Sequence, residues 1–213
     1  MLAHYLTVKH DGQHEIVIEK SRFIAHIARA SSEEEAQAFI QKIKKEHNSA
    51  THNCSAYLIG EMDNIQKAND DGEPSGTAGV PMLEVLKKRE LKDTVAVVTR
   101  YFGGIKLGAG GLIRAYGKSV SEGLNHTGVV ERHLQQIIHI TVDYTLLGKM
   151  ENELRNSVYP IKEMNYMEKV EIQMYVPIKE KETFKEWIID LSNAQSEIVF
   201  GEEEYLEKDV KSY

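Results

Sequence analysis

The sequence predicts an α+β protein of two domains, and three observations lead to this prediction. Strand-like runs alternate with segments of helical hydrophobic spacing along the chain. The composition shifts near Thr127–Arg132. The charge shifts there too, since residues 1–130 hold sixteen Lys and Arg against sixteen Asp and Glu, whereas residues 131–213 hold ten against seventeen. We therefore expect one domain at 1–130 and a second at 131–213.

The overall composition excludes several classes of protein. With 213 residues, 41% hydrophobic residues and a net charge of −7, the chain is typical of globular proteins and unlike disordered or collagen-like ones. No apolar run is long enough to span a bilayer, and Met1–Asp11 has no secretory signal. A single cysteine, Cys54, excludes an intrachain disulfide. We therefore expect a cytoplasmic protein without a membrane partner.

The first domain is predicted to combine short strands with three helices. The expected strands are Tyr5–Lys9, His14–Lys20, Arg22–Arg29, Cys54–Ile59 and Thr94–Arg100. Ser32 and Glu35 form a capping box before a helix that ends near His47. Pro81 suits the first turn of a short helix, and a longer helix carries Leu112 to Leu124. We expect the helices on one face of a sheet.

The second domain shows the order β-α-β-β-α-β. Its expected strands are Gln136–Tyr144, Ile161–Tyr166, Val170–Val176 and Glu197–Phe200, with helices after the first and the third. This order is that of the ferredoxin-like fold. The acidic run Glu202–Glu204 is expected to be a solvated face or a fraying tail.

A glycine-rich stretch between a strand and a helix is the first candidate site. Five glycines lie within Gly103–Gly111, and glycine lets backbone amides approach an anion at a helix N-terminus. The predicted anion- or RNA-binding residues are Arg100, Gly103, Gly104, Lys106, Gly108, Gly110 and Arg114. The alternative is that these glycines only permit tight packing. Gly111–Ser119 is not a phosphate-binding P-loop, because five residues separate its glycines where four are required.

A second candidate is the acidic loop between Asn69 and Gly79. Its candidate residues are Asp70, Asp71, Glu73, Ser75 and Thr77. Three carboxylates on one turn are suited to Mg²⁺ or Ca²⁺, but the ligand pattern of an EF-hand is missing and we predict no metal. The alternatives are a contact site for a ligand or a structural turn in which Ser75 or Thr77 caps the next helix.

Two further features carry chemistry in other proteins. His52 and Cys54 share one face of a strand, so they can pair as base and nucleophile, although a lone cysteine there is typical of packed core. Their roles stay open. Tyr101 and Phe102 follow Arg100, and adjacent aromatic residues at a strand end can stack on bases. On a strand they point to opposite faces, so one of them should lie in the core.

Four segments together resemble the IMPACT family, in its bacterial YigZ-like branch. These segments are KSRFIA at Lys20–Ala25, THNCSAY at Thr51–Tyr57, DDGEPSGTAG at Asp70–Gly79 and VVTRYFGGIKLGAGGLIRAYG at Val97–Gly117. The resemblance covers the first domain fully and the second by position and expected topology. Val80 is a departure, because members often carry a lysine there.

The resemblance implies a fold and a cellular context. It implies a first domain with the fold of the second domain of ribosomal protein S5, and a second domain similar to domains of elongation factor G. Eukaryotic relatives oppose the general-control kinase in translation, through an additional N-terminal domain that we do not expect here. Some bacterial relatives carry peptidase labels, but neither a two-metal ligand set nor a Ser/His/Asp order is visible in this sequence.

The favoured hypothesis is a translation-associated factor whose first domain contacts the ribosome, other structured RNA or translation factors. The alternative is a small-ligand-binding protein or a hydrolase, of peptidase or phosphoesterase type, that uses the Asp70–Thr77 loop. The acidic second domain is expected to favour a basic protein partner. We predict no catalytic residue and no cofactor, and the sequence leaves enzymatic activity undecided.

Overall fold

The structure, a computed structural model, describes residues 1–210 and confirms the predicted α+β class. The chain divides into two compact units. The N-terminal unit contains His4–Glu131 and a short segment that begins at Lys208, and the C-terminal unit contains Arg132–Glu207. Within residues 1–210, no helix combines the length and the apolar character that crossing a membrane requires.

The N-terminal unit is built on a five-stranded antiparallel sheet with the order β2-β3-β6-β4-β5. The strands are β1 (His4–Val8), which precedes this sheet, β2 (Gly12–Ile18), β3 (Ser21–Arg29), β4 (His52–Ile59), β5 (Ile65–Asn69) and β6 (Thr94–Tyr101). The helices are α1 (Glu33–Glu46), α2 (Gly79–Lys88) and α3 (Gly108–Thr127). Strand β6 is therefore central, and it is buried from Thr94 to Arg100.

Helices cover both faces of this sheet, so the expectation of helices on one face is wrong for this unit. On one face, Met82 of α2 lies in a core cluster with Phe23 of β3. On the other face, Ile40 of α1 lies in a separate cluster with Val97 of β6. Strands that are buried on both faces carry continuous apolar runs instead of alternating ones. The run Val95–Val98 is of this kind, and it indicates burial on both sides.

The predicted capping box at the start of α1 is present with one change of partner. Ser32 is the N-cap, and its hydroxyl oxygen accepts a hydrogen bond from the Glu35 amide at 3.2 Å. The Glu35 carboxylate accepts hydrogen bonds from the Ser31 amide at 2.7 Å and the Ser31 hydroxyl at 2.9 Å. The usual box would use the Ser32 amide instead. The Ser31 amide is the main cause of a lowered pKa at Glu35.

The C-terminal unit has the predicted ferredoxin-like order. Its elements are β7 (Val129–Val142), α4 (Tyr144–Arg155), β8 (Ile161–Tyr166), β9 (Val170–Pro177), a 3₁₀ turn (Ile178–Glu180), α5 (Lys181–Ser192) and β10 (Glu197–Asp209). Within this unit β10 pairs with β7, and β9 is antiparallel to both β7 and β8. Met150 of α4 and Phe184 of α5 pack in one cluster with Ile140 of β7. The helices thus cover one face of this sheet.

Three strands differ from the sequence prediction by more than two residues. Strand β5 is not predicted, because it is an exposed edge strand in which only Ile65 is partly buried and no apolar alternation is visible. Strand β7 begins at Val129, seven residues before the predicted start at Gln136. Strand β10 continues to Asp209 instead of ending at Phe200.

The acidic run Glu202–Glu204 therefore belongs to a strand and is not a fraying tail. Glu204 accepts a hydrogen bond from the Tyr175 hydroxyl at 3.1 Å and forms an ion pair with Lys162. The Lys162 ammonium lowers the pKa of Glu204. Cross-strand polar contacts of this kind let acidic residues stay in a sheet.

Two glycines inside helices give opposite predictions for the same substitution. A Cβ at Gly148 in α4 would meet no atom within 4 Å, so Gly148→Ala should raise the free energy of unfolding by about 0.5–1 kcal/mol through helix propensity. A Cβ at Gly123 in α3 would lie 2.8 Å from Ile27 Cδ1 and 3.0 Å from Ala25 Cβ. Overpacking costs about 1–3 kcal/mol, so Gly123→Ala should destabilise. Urea unfolding measures both, and equal stabilisation by both variants would contradict this packing.

A buried histidine predicts a loss of stability on acidification. His26 is 3% exposed, its Nε2 has no hydrogen-bond partner within residues 1–210, and its ring centroid lies 4.9 Å from that of His47. Burial, with a smaller effect of His47, lowers the pKa of His26 from 6.5 to about 4. Between these values the unfolded chain binds a proton that the native protein does not bind. The free energy of unfolding should therefore decrease as pH falls, by roughly 3 kcal/mol over the full window.

The measurement is urea unfolding at pH 7, 6 and 5 for the wild type and His26→Gln. The variant should lose this part of the pH dependence, because glutamine does not titrate. Identical slopes in the two proteins would show that His26 is not the responsible group.

Candidate functional site

The loop between β5 and α2 is folded around the carboxylate of Asp70. This carboxylate accepts hydrogen bonds from the amides of Gly76 at 2.7 Å, Ala78 at 3.0 Å and Gly79 at 2.8 Å. Burial alone would raise the pKa of Asp70, but the three amides outweigh burial and the pKa is lowered. Asp70 thus satisfies the first amides of α2, whose N-cap residue makes no side-chain hydrogen bond.

Neither Ser75 nor Thr77, the two caps in the structural-turn alternative, occupies the capping position. The N-cap of α2 is Ala78, and the Thr77 hydroxyl donates a hydrogen bond to the Pro74 carbonyl oxygen at 2.6 Å. The cap comes from a residue eight positions earlier, which local spacing rules do not anticipate.

Asp71 connects the same loop to α1 and β4. Its carboxylate accepts hydrogen bonds from Lys44 Nζ at 2.6 Å and from the Asn53 amide at 2.7 Å. Its carbonyl oxygen lies 2.8 Å from His52 Nδ1, which must carry the proton because a carbonyl can only accept. Asp71 also adopts a φ of 46°, a left-handed conformation that aspartate tolerates better than most residues.

Glu73 joins the acidic loop to the segment that contains Arg100. Glu73 Oε1 accepts hydrogen bonds from Arg100 Nη1 at 2.6 Å and from the Tyr116 hydroxyl at 2.8 Å. Both charged side chains are buried, with 4% and 6% of their surface exposed. His52 Nε2 lies 3.8 Å from Glu73 Oε2 at the margin of this cluster. Burial is the largest cause of a raised pKa at Tyr116, so its hydroxyl remains a donor.

Arg100 is therefore buried beneath the protein surface. Arg100 Nη2 is 3.5 Å from Ser21 Oγ, and its guanidinium lies between two aromatic rings, 5.3 Å from the Phe23 centroid and 5.5 Å from the Phe102 centroid. Phe102 is 46% exposed, whereas the Tyr101 hydroxyl is bonded to His47 Nδ1 at 2.9 Å. The direct RNA contact expected of Arg100 stays a prediction. The pairing with Glu73 weighs against it, since the guanidinium is buried and already has a carboxylate partner.

Cys54 is buried and held in its thiol form. It is 0% exposed, and its Sγ donates a hydrogen bond to the Asp70 carbonyl oxygen at 3.0 Å. Burial raises the pKa of Cys54 to about 12, and the nearby carboxylates of Glu73, Asp71 and Asp70 add to this rise. A thiol with this pKa carries almost no thiolate at neutral pH, and the thiolate is the nucleophile.

The glycine-rich stretch passes over the turn between β2 and β3. The Gly103 amide donates a hydrogen bond to Ser21 Oγ at 3.2 Å, and a Cβ at Gly103 would lie only 2.0 Å from the backbone of Lys20. Gly104 and Gly108 have φ values of 91° and 68°, and a Cβ at either would meet nothing within 4 Å. Close packing therefore requires Gly103, whereas Gly104 and Gly108 are favoured by their left-handed backbone conformation in an open turn.

The last glycines of the stretch belong to α3 and not to a loop. Helix α3 begins at Gly108, with Leu107 as an N-cap that makes no side-chain hydrogen bond and with no acidic residue in the first turn. Gly110 lies in this turn, beside the Arg114 side chain, and both residues are exposed. Exposed amides at the start of a helix carry partial positive charge.

Three exposed cationic side chains accompany this helix start. Lys106 precedes it, Arg114 lies two turns in, and Lys20 is in backbone contact with Gly103. Lys106 and Arg114 were predicted from the sequence. Phe102 is one of the two aromatic residues that the sequence offers for stacking on bases, whereas Lys20 has no role there beyond opening the KSRFIA segment that signals the family. Within residues 1–210, no group of three His, Cys, Asp or Glu is arranged to hold a metal ion.

Two regions of the chain match known family domains. The Impact N-terminal domain matches residues 19–124, and a domain of unknown function, DUF1949, matches residues 140–195. A crystal structure described as that of a hypothetical protein has 31% sequence identity and a TM-score of 0.61, and the match covers 96% of this chain and 100% of the other.

Curated relatives match over most of both chains. The IMPACT family member YigZ of Escherichia coli (strain K12) is 42% identical over 151 residues, which are 67% of this chain and 74% of the relative. The IMPACT family member YvyE of Bacillus subtilis (strain 168) is 71% identical over 210 residues, 99% of this chain and 97% of the relative. On this evidence the chain belongs to the IMPACT family.

Proposed function

We propose that this protein is a translation-associated regulatory factor whose N-terminal unit contacts the ribosome or other structured RNA. The supporting observation is the exposed start of α3, whose N-cap makes no side-chain hydrogen bond and whose Gly110 lies beside the Arg114 side chain. Two more exposed cationic residues are close in the chain or in the fold, since Lys106 precedes the helix and the Lys20 backbone lies against Gly103. Phosphate groups are the anions that such helix ends bind. The translational context is the one that membership of this family implies.

Local charge supports this proposal despite the acidic composition of the whole chain. Residues 94–121 contain no Asp or Glu. Lys106, Arg114 and Lys118 in this stretch are all exposed. A local positive field of this kind attracts phosphates within a screening distance of about 8–10 Å, whatever the net charge of the chain.

The carboxylates of the acidic loop are already paired within the fold, so they do not prevent an anion from binding nearby. The Asp70 carboxylate accepts hydrogen bonds from three backbone amides, and the Asp71 carboxylate accepts them from Lys44 and the Asn53 backbone amide. The Glu73 carboxylate is bonded to Arg100 and Tyr116. These bonds also weaken the alternative function, a small-ligand site or a hydrolase at Asp70–Thr77. Carboxylates that are already bonded within the fold are poorly placed to act on a ligand.

The C-terminal unit supports a second kind of partner. Residues 131–213 hold ten Lys and Arg against seventeen Asp and Glu, and Glu202 and Glu203 on β10 are exposed. We propose that this acidic unit binds a basic protein. Ribosomal proteins and translation factors include many basic candidates. A cytoplasmic location follows from the same proposal.

The scaffold role of Glu73 predicts a large loss of stability. Glu73→Gln keeps the shape of the side chain but leaves Arg100 buried without its counter-charge, which typically costs about 3–5 kcal/mol. Glu84→Gln is the matched control, because Glu84 pairs with Lys87 at 3.0 Å on the surface and should change stability by less than about 0.5 kcal/mol. Urea unfolding compares them. A loss below about 1 kcal/mol for Glu73→Gln would contradict the scaffold role.

RNA contact predicts salt-sensitive association with ribosomes. The purified protein should co-sediment with ribosomes at low salt and be released at high salt, because phosphate contacts release counterions. Lys106→Gln combined with Arg114→Gln should weaken the association and reduce the slope of log K against log salt concentration by about 0.7–0.9 for each lost contact.

The control is Lys42→Gln combined with Lys45→Gln on α1, which lies on the opposite face of the sheet. It removes the same charge and should leave the association intact. Absence of co-sedimentation at every salt concentration, or equal losses in both double variants, would refute the proposed contact.

A further inference from the structure

Aromatic rings and one guanidinium form a continuous column from the core to the surface. Tyr116 packs edge-to-face on Phe23, with ring centroids 5.4 Å apart and an interplanar angle of 89°. The Arg100 guanidinium carbon lies 5.3 Å from the Phe23 centroid and 5.5 Å from the Phe102 centroid. Tyr116 and Phe23 are 0% exposed, whereas Phe102 is 46% exposed. The column therefore ends in a ring that is open to solvent.

The fold holds this column in place without a ligand. The register of β3 and β6 sets Phe23 directly opposite Arg100. Glu73 fixes the guanidinium from the side, and the Phe102 amide donates a hydrogen bond to Thr51 Oγ1 at 3.0 Å. Phe102 is thus a platform whose position is determined by buried groups. Pre-organised platforms lose little conformational freedom on binding.

The surroundings of the platform indicate what stacks on it. The chain from Phe102 through Gly103 and Gly104 to Lys106 carries one cation and no carboxylate, and the backbone of Lys20 lies against Gly103. A flat ring next to phosphate-attracting groups is the combination used for single-stranded nucleic acid. A guanidinium over one face of the ring also draws electron density from it, which favours an electron-rich base on the other face.

We propose that Phe102 is a stacking platform for an unpaired nucleobase, so that the RNA bound by this surface is single-stranded or looped. This inference rests on the proposed RNA contact and adds its substrate class. A regular duplex cannot place a base on Phe102, because its bases are stacked on one another and inaccessible from the side. Arg100 acts through Phe102 as a positioning residue and not as a phosphate contact.

The test is fluorescence anisotropy with a labelled, unstructured RNA dodecamer and with the corresponding duplex. Phe102→Ala should weaken binding of the single strand roughly 5- to 150-fold and leave binding of the duplex unchanged. The salt slope should stay the same, because no charge is removed. Phe102→Trp should retain binding, and Phe102→Leu, which keeps most of the volume without the ring, should lose it.

Tyr166→Ala is the matched control, since Tyr166 is a 58% exposed aromatic residue in the C-terminal unit. It should bind both RNAs as the wild type does, and thermal melts check that all variants are folded. If Phe102→Ala is unstable, Phe102→Leu provides the same comparison.

The outcomes separate this inference from the proposed function. Absence of binding to either RNA and to ribosomes refutes the proposed function itself. Binding that is equally strong in wild type, Phe102→Ala and Phe102→Leu, or equally strong for single strand and duplex, refutes only the stacking platform. Loss of a protein partner in Phe102→Ala with unchanged RNA binding would assign the ring to a protein contact and also overturn this inference.

Discussion

The buried ion pair between Glu73 and Arg100 is the interaction on which the N-terminal unit depends. It joins the acidic loop to the central strand β6, and Tyr116 adds α3 to the same carboxylate oxygen. Each buried ion loses several kcal/mol of hydration, and the pair recovers this only with good geometry and further hydrogen bonds. The pair therefore contributes little net stability relative to an apolar pair. Its consequence is that loop, strand and helix converge on a single carboxylate oxygen.

The acidic loop follows from this constraint. Once Glu73 is fixed, Asp71 and Asp70 are directed to α1 and to the start of α2, and the peptide between them passes over Cys54. Three neighbouring carboxylates thus act on three different elements. From the sequence alone the same carboxylates leave open a ligand-binding or hydrolytic site, because spacing does not reveal that each has a partner elsewhere in the fold. The loop connects these elements, and its carboxylates are paired within the fold.

The parts of the fold that depend on local periodicity could be predicted from the sequence. The helix spacing of Leu112, Tyr116 and Val120 predicts their burial, and the alternation in Val170–Val176 predicts a half-buried strand, as the structure has them. Partners that are distant in the chain could not be predicted. Arg100 lies at the end of a buried apolar run, which indicates a buried counter-charge, but nothing in the spacing identifies Glu73, 27 residues earlier, as that partner.

The same limit applies to the surface site. The composition of the glycine-rich stretch marks it as a candidate site. It does not show that Gly103 packs closely against the backbone of Lys20, which lies in the turn between β2 and β3. The sequence also cannot show which cationic side chains are exposed. Lys106 and Arg114 are exposed to solvent, whereas Arg100 is buried. Contacts between strands decide which charges are available to a ligand.

Burial thus separates two interactions that a ligand on this unit would have: long-range attraction by exposed cations, and short-range contact with an aromatic ring that a buried guanidinium supports. The exposed cations act over a screening distance of about 8–10 Å and recognise any phosphate backbone. The guanidinium of Arg100, neutralised by Glu73, acts only on the rings it contacts, because a compensated buried charge has a weak field at long range. Under the proposed RNA contact, attraction therefore depends on Lys106 and Arg114, and under the proposed stacking, discrimination depends on Phe102 and the buried groups beneath it. Since different residues carry the two forces, either one can change without altering the other.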